Sequence, residues 1–421
     1  MAPKSKVIID TDPGADDVLA ILLALASRPG ELELAMISVT YGNVQVESCL
    51  RNVVGLFHVL DKEMEWRESQ GKPLGFEVLR TQKPIVAVGP EHALEEELLM
   101  EDGFHGSDGL HGVHEAHPHL SPADTWKALF KDGLPGAEED PAFYKYFTPS
   151  KTPAHQEILR ILREEPPDTI TICAVGPLTN LAMAAAEDPE AFLRVKDVVV
   201  MGGAIDVEGN ITPVAEFNTF ADAVATARVF ALTSPIPSST MPPIPKDKAT
   251  LAPYPEKLSK QLNLKLMPLD ITTPHLLNMN YFIETIEAQL AVGSPLATWI
   301  NTFMTGIFRQ IVSMIGDEVE PGLSLHDPLT IWYTLNPSHP RWQLHKDAPE
   351  DIRVETSGQW THGMHVKDRR GRVRPKNIGL DEVPGDEYGW LSMTRGNRIN
   401  RFVDSPGFEA FAPFLMERLF G

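Results

Sequence analysis

Cysteine is nearly absent: Cys49 and Cys173 are the two in 421 residues. They exclude a disulfide framework, and a reducing, cytoplasmic setting is expected. No apolar run has the length of a membrane-spanning helix, which takes about 20 residues. Met1 to Lys6 lead straight into the first hydrophobic stretch and leave no room for a signal peptide. Positive charge is also short. Lys and Arg number 37 against 58 Asp and Glu, giving a net charge of −21. Such a surface would repel a DNA or RNA backbone, so neither a nucleic acid nor a membrane is expected as a partner. A small neutral substrate stays open. No internal repeat is visible, which sets aside solenoids and propellers.

What the chain does have is a dense run of acid near its start, Val7-Ile8-Ile9-Asp10-Thr11-Asp12-Pro13-Gly14-Ala15-Asp16-Asp17. Val7 to Ile9 predict a short buried strand, Pro13-Gly14 a turn, and the Leu- and Ala-rich stretch Val18 to Ala26 a buried helix. Four carboxylates therefore sit where a strand ends and a helix begins. Strand alternation lets Asp10 and Asp12 share a face. Asp16 and Asp17 fall in the first helical turn, where the backbone dipole offers roughly half a positive charge. One capping Asp satisfies that charge. The others repel each other in a poorly hydrated crevice unless some are protonated or a cation sits among them. Oxygen donors without Cys or His nearby suit a hard ion, calcium or magnesium. A capped helix beside a solvated acidic turn is the plainer reading. The acids lie at the carboxyl end of a strand, however, which is where open α/β sheets bind ligands.

The stretch closely resembles the N-terminal signature of the inosine–uridine-preferring nucleoside hydrolases, Asp-x-Asp-Pro-Gly-x-Asp-Asp after a hydrophobic strand. Later segments are similar to the same family. Gly176-Pro177-Leu178-Thr179-Asn180 follows a strong apolar strand, Thr169 to Val175. Gly209-Asn210-Ile211-Thr212-Pro213-Val214-Ala215-Glu216-Phe217-Asn218 matches the family's ribose-binding segment. Ser324-Leu325-His326-Asp327-Pro328 opens a late helix. A helical region from Tyr281 to Ile315, interrupted near Gly293, corresponds to one that lines the base side of the family's pocket.

Between these motifs the chain alternates strand and helix, which predicts a parallel sheet. We expect a single α/β domain over residues 1–421. Its mostly parallel, open, Rossmann-like central sheet would be flanked by helices and interrupted by inserted loops at 61–83, 113–153 and 233–263, with a C-terminal extension. Trp126, Phe143, Tyr144 and Phe147 in the second insertion suit a lid, a subunit contact or a small satellite core, the last being the simplest. The glycine-rich loop Asp102 to Gly112 has the chemistry of a segment that closes over a ligand.

The resemblance implies an enzyme of nucleoside salvage that hydrolyses the N-glycosidic bond of inosine- or uridine-type ribonucleosides. It implies Ca2+ held by Asp12, Asp17, Asp327 and the Val175 carbonyl, with Asp16 as general base toward a calcium-bound water. Asn43, His105, Met201, Asn210, Glu216 and Asn218 would contact the sugar. Asp10 would accept ribose hydrogen bonds or orient its neighbours. His326 would help the base leave, as an imidazolium donating a proton. A His rather than a Trp before the late Asp resembles the non-specific and pyrimidine-preferring members. A homo-oligomer, dimer or tetramer, is the expected assembly. Taken singly, Asn43 also suits a helix cap, His105 an idle loop position, Met201 a core side chain and Asp327 a helix N-terminal acid. Two other functions compete: a magnesium-dependent phosphatase of the haloacid-dehalogenase type, suggested by Asp10-Thr11-Asp12 but lacking a convincing downstream Lys and acid pair, and a non-catalytic nucleoside-binding protein on the same fold.

Overall fold

Val7 and Ile9 pack into one apolar core and Ile8 into another, so the first strand is buried on both faces. That is why it reads as an unbroken apolar run rather than an alternating one. The computed structural model describes residues 5–95, 103–121, 124–131, 144–243, 251–376, 379 and 383–421. Strands β1 (Ser5–Thr11), β2 (Leu32–Val39), β3 (Ile85–Val88), β4 (Thr148–Pro149), β5 (Ile170–Ala174), β6 (Asp197–Met201) and β7 (Leu264–Met267) join two C-terminal strands, Gln343–Leu344 and Asn400–Asp404, in one nine-stranded sheet. Across the sheet the order is Gln343–Leu344, Asn400–Asp404, β7, β6, β5, β1, β2, β3, β4. Every neighbouring pair is parallel except the outermost, Gln343–Leu344 with Asn400–Asp404.

The chain runs outward from β1 through β4, then returns to β5 on the other side of β1. This reversal opens a crevice at the carboxyl ends of β1 and β5, the usual ligand position in such sheets. Helix α1 (Ala15–Leu25) leaves β1 at that crevice, and all of its residues are buried. It packs against the late helix Pro328–Leu335. Two helix N-termini, at Asp16 and at Asp327, are thereby brought together.

Several expectations need correction. Residues 61–69 do not belong to a loop; they complete helix α2 (Val46–Ser69). The missing apolar period there reflects a buried ion pair. Arg67 Nε bonds Glu63 Oε1 at 2.7 Å with both side chains inside. Glu63 Oε2 accepts from Ser294 Oγ and the Leu296 amide, and Arg67 Nη2 donates to the Leu419 carbonyl. After the Gly209 to Asn218 segment come two helices, Phe217–Ala221 and Ala223–Ala231, divided at Asp222, whose carboxylate caps the second. The Tyr281 to Ile315 region breaks where expected, into Met279–Ala291 and Pro295–Ile315.

Trp126 and Phe147 are buried, and Phe130 stacks on Phe147, which in turn meets Phe57 of α2. They are no separate satellite core: Phe57, Trp126 and Phe147 belong to the same apolar core as Val7 and Ile9, and Phe130 and Tyr144 pack against it. Phe143 and Asp102 lie outside the described residues, as do residues 244–250 of the third expected insertion.

Candidate active site

The strand-to-helix turn after β1 is built around Asp17. Its Oδ2 accepts from the Gly14 amide at 3.0 Å, which caps α1, and from Asn43 Nδ2 at 3.0 Å. Its Oδ1 accepts from Thr11 Oγ1 at 2.5 Å. Asp12 is admitted by two glycines. A Cβ on Gly42 would come within 2.0 Å of its Oδ2, and one on Gly176 within 2.5 Å of its Oδ1. Those close approaches explain why glycine follows both β2 and β5. Asp12 Oδ2 accepts from the Asn43 amide at 2.7 Å, while Asp12 Oδ1 is buried without a partner.

Carboxylate oxygens of Asp16, Asp17 and Asp327 lie within 4.8 Å of one another. Among the described residues, no Lys or Arg pairs with any acid of this cluster; the sole nearby base is His105, with Nε2 3.9 Å from Asp16 Oδ1. The electrostatic consequence is large. Burial, then the charge of Asp17, pushes Asp16 up to about 8. Burial and the same neighbour raise Asp12 well above the carboxylate range, and burial followed by Asp16 and Asp17 does so for Asp327. Acids that repel each other this strongly, around an unpartnered oxygen, fit a divalent cation among hard donors.

Above the cluster opens a cavity of about 470 Å³, within the range of small-molecule sites. Asp16, Asn43, His105, Val175, Met201, Asn210, Glu216, Asn218, His326 and Asp327 all line it. Sequence elements more than 300 residues apart thus meet around one space, a conjunction that follows from the switch in strand order.

Some nominated residues are engaged differently from what their sequence context suggested. Asp10 does not line the cavity. It is fully buried, its Oδ1 held by Ser38 Oγ at 2.5 Å and Asn180 Nδ2 at 2.9 Å, and burial raises it to about 7. It braces β1 against β2, which fits the neighbour-orienting role of the two expected for it. Glu216 caps the helix Phe217–Ala221, with Oε1 accepting from the Asn218 amide and Oε2 from those of Thr219 and Gly203. Asn218 Nδ2 donates to the Val175 carbonyl at 2.9 Å. His105 Nδ1 accepts from the Ala15 amide at 3.1 Å, so the glycine-rich loop is docked on the N-terminus of α1. Burial pushes both His105 and His326 down to about 4, so His326 rests as neutral imidazole and not as the imidazolium expected. Its Nδ1 is 2.7 Å from Thr272 Oγ1.

The helical region Tyr281 to Ile315 was expected beside the base, but which of its residues reach the cavity was not legible beforehand. Ile311, Met314 and Ile315 do, joined by Phe104, Leu269, Thr273 and Leu323, with Glu208 also on the wall. Met314 is 65% and Ile315 53% exposed. An apolar pair left in water at the end of an amphipathic helix, just before Gly316, is the signal that could have marked them.

The family model for inosine-uridine preferring nucleoside hydrolases matches residues 7–388. The chain belongs to this family. It is a nucleoside hydrolase, an enzyme that cleaves the N-glycosidic bond of ribonucleosides. An uncharacterised protein of Schizosaccharomyces pombe is 31% identical over 399 residues, covering 94% of this chain and 99% of the relative. The pyrimidine-specific ribonucleoside hydrolase RihA of Escherichia coli K12 is 30% identical over 389 residues, covering 92% and 96%. Among solved structures, a plant nucleoside hydrolase, PpNRh1, superposes with a TM-score of 0.65 at 23% identity over 99% of both chains. A purine-preferring ribonucleoside hydrolase from Gardnerella vaginalis gives 0.64 at 21% identity over 98% of both. These likenesses bear on the fold. Membership in the nucleoside hydrolase family sets aside the phosphatase alternative, and no described helix is long and apolar enough to cross a membrane.

Proposed function

We propose that this nucleoside hydrolase acts on inosine- and uridine-type ribonucleosides, with Asp12, Asp17, Asp327 and the Val175 carbonyl holding Ca2+ and Asp16 serving as general base. Two observations carry this reading: the buried, unpartnered Asp12 Oδ1, on a carboxylate that feels the charges of Asp17 and Asp16, and the oxygens of Asp16, Asp17 and Asp327 within 4.8 Å of one another. A bound divalent cation supplies charge that neutralises the acids, orients sugar hydroxyls and makes nearby water more acidic. Magnesium is less suited, because it prefers strict octahedral geometry and retains its own waters.

Asp16 is the one acid that is both in the cluster and on the cavity wall at the turn after β1. It takes a proton from water as the water oxygen bonds to the anomeric carbon. The carbon–nitrogen bond breaks, and its electron pair leaves with the base. The transition state has oxocarbenium character, as in other glycoside hydrolysis. Asn210 and Asn218 offer amide groups suited to hydroxyls, which need both donors and acceptors. Glu216 contributes chiefly by fixing the Asn218 backbone. Asn43 spends both protons of its amide on the Asp12 carbonyl and Asp17 Oδ2, so its carbonyl oxygen is the part left for substrate. In the tautomer whose Nδ1 accepts from the Thr272 hydroxyl, His326 carries an Nε2–H to offer a departing base. Ile311, Met314, Ile315 and Leu323 give that base an apolar wall.

The alternative of a silent binding protein is disfavoured by the complete acid set. Release of free ribose from a panel of nucleosides, with and without added Ca2+, tests the reading. Turnover that is indifferent to thorough chelation would overturn the cation assignment, and failure to cleave either inosine or uridine would overturn the substrate assignment.

A further inference from the structure

The sugar-facing arch at residues 203–218 has little regular structure to hold it. It turns at Gly203, with φ of +83°, and stays irregular until the helix Phe217–Ala221. Behind it stands a segment from far along the chain, residues 362–369. Ala215 and Met364 form an isolated antiparallel bridge. The His365 ring lies against Gly203, where a Cβ would fall 2.5 Å from its Cε1. His365 is buried, neither ring nitrogen has a partner, and the ring borders a small closed space shared with Met201, Gly202 and Asn218. It fills volume directly behind two residues of the active-site wall.

Asp206, on the arch, meets three cations. Lys367 Nζ and Arg369 Nη1 each lie 3.0 Å from it, and Arg401 Nη1 lies 3.1 Å away. Arg369 also donates to the Ile205 carbonyl. From the opposite side, the Asp270 carboxylate accepts from the amides of Ile205 at 2.9 Å and Asp206 at 2.8 Å. Burial opposes ionisation of Asp206, yet Lys367, Arg401 and Arg369 together hold it below the usual carboxylate range. Its side chain is 41% exposed, and ion pairs so placed add little to global stability. Three on one carboxylate make better sense as a local anchor that fixes where the arch sits.

We propose that Lys367 and Arg369, acting through Asp206, and His365, acting through Gly203, are positioning residues that hold the arch in its sugar-binding shape. They set nucleoside affinity rather than the rate of bond cleavage. None of these five residues lines the cavity. The proposal rests on the reading of Asn210 and Asn218 as sugar contacts.

The experiment is steady-state hydrolysis of uridine and inosine by the full chain with Ca2+, at low and high KCl. The Lys367→Ala/Arg369→Ala double variant is expected to raise KM about tenfold with kcat within about threefold, the pattern of lost ground-state binding. Lys367→Arg restores the wild-type KM. Wild-type KM rises with KCl as the exposed charges are screened, whereas Asp206→Asn starts high and responds weakly. His365→Ala raises KM, and His365→Leu does not, because the ring makes no hydrogen bond to lose. An unchanged KM in the double variant, or equal losses in kcat with KM constant, overturns the proposal. A companion Asn218→Ala variant separates the two readings. Weakened nucleoside affinity there alongside an unaffected double variant overturns the anchor alone; unaltered affinity in Asn218→Ala overturns the sugar-contact reading and the anchor with it.

Discussion

The Asn218 carboxamide donates to the Val175 carbonyl across 2.9 Å, joining a residue nominated for the sugar to one nominated for the cation. Asn218 Nδ2 also lies 3.5 Å from Met201 Sδ. The three line one stretch of cavity wall, so the proposed cation and sugar sites would be coupled through a single amide. We expect Asn218→Ala to lower kcat/KM for uridine by about 10- to 100-fold, the loss of a positioned polar contact. Calcium affinity should survive, because the Val175 carbonyl is released rather than removed. Titration calorimetry with Ca2+ checks this; a variant that no longer binds the ion would show that the amide holds the cation site together.

Chelation should abolish turnover and lower the melting temperature together. The buried acids repel one another, and Asp12 Oδ1 has no partner. A ligand that binds only the folded chain stabilises it by about 2.7 kcal/mol at one hundred times its dissociation constant. Readdition of Ca2+ should restore both properties. Scanning calorimetry with and without chelator decides the matter, and coincident melts would speak against an ion in this cluster.

Asp16→Asn should keep the fold and the calcium-dependent stabilisation while losing about 10²- to 10⁴-fold in kcat, the range for a general base. In chelated protein the same change should raise stability, since it deletes one of the like charges that push Asp327 up. Normal turnover in Asp16→Asn would place the base elsewhere.

His326→Ala should slow natural nucleosides about 10- to 100-fold more than a p-nitrophenyl riboside, whose leaving group needs no proton. The neutral imidazole is buried and held at Nδ1 by Thr272, so it acts through its N–H rather than a stored proton. Parallel kcat measurements on the two substrate types test this. Equal losses would assign His326 to cavity shape alone.

Arg67→Ala should destabilise the fold by about 3–5 kcal/mol without changing kcat/KM below the melt. That is the cost of leaving a buried partner charge uncompensated, and Glu63 is fully inside. Denaturant unfolding gives the shift, and a change under about 1 kcal/mol would mean that the Ser294 hydroxyl and the Leu296 amide suffice to hold Glu63.

Residues and motifs determined much of this protein before any coordinates. The apolar strand, the Pro13-Gly14 turn and the acids on either side of it told where buried carboxylates would gather, because local chain geometry alone places carboxylates at a strand's end. The alternation of strand and helix told the sheet type, and the spaced motifs told the family. The sequence was silent where the answer depends on partners distant in the chain. It could not separate Asp10, turned onto Ser38 and Asn180, from Asp12, cradled by Gly42 and Gly176, since alternation puts both on one face. It could not show that Glu216 spends both oxygens on backbone amides, or that residues 61–69 stay helical around the Glu63–Arg67 pair. Which residues of the Tyr281 to Ile315 region form the apolar wall, and the 362–369 buttress, came only from the tertiary structure. Burial, pairing and proton affinity belong to a packed environment, and no spacing along the chain encodes which remote side chain will arrive to complete it.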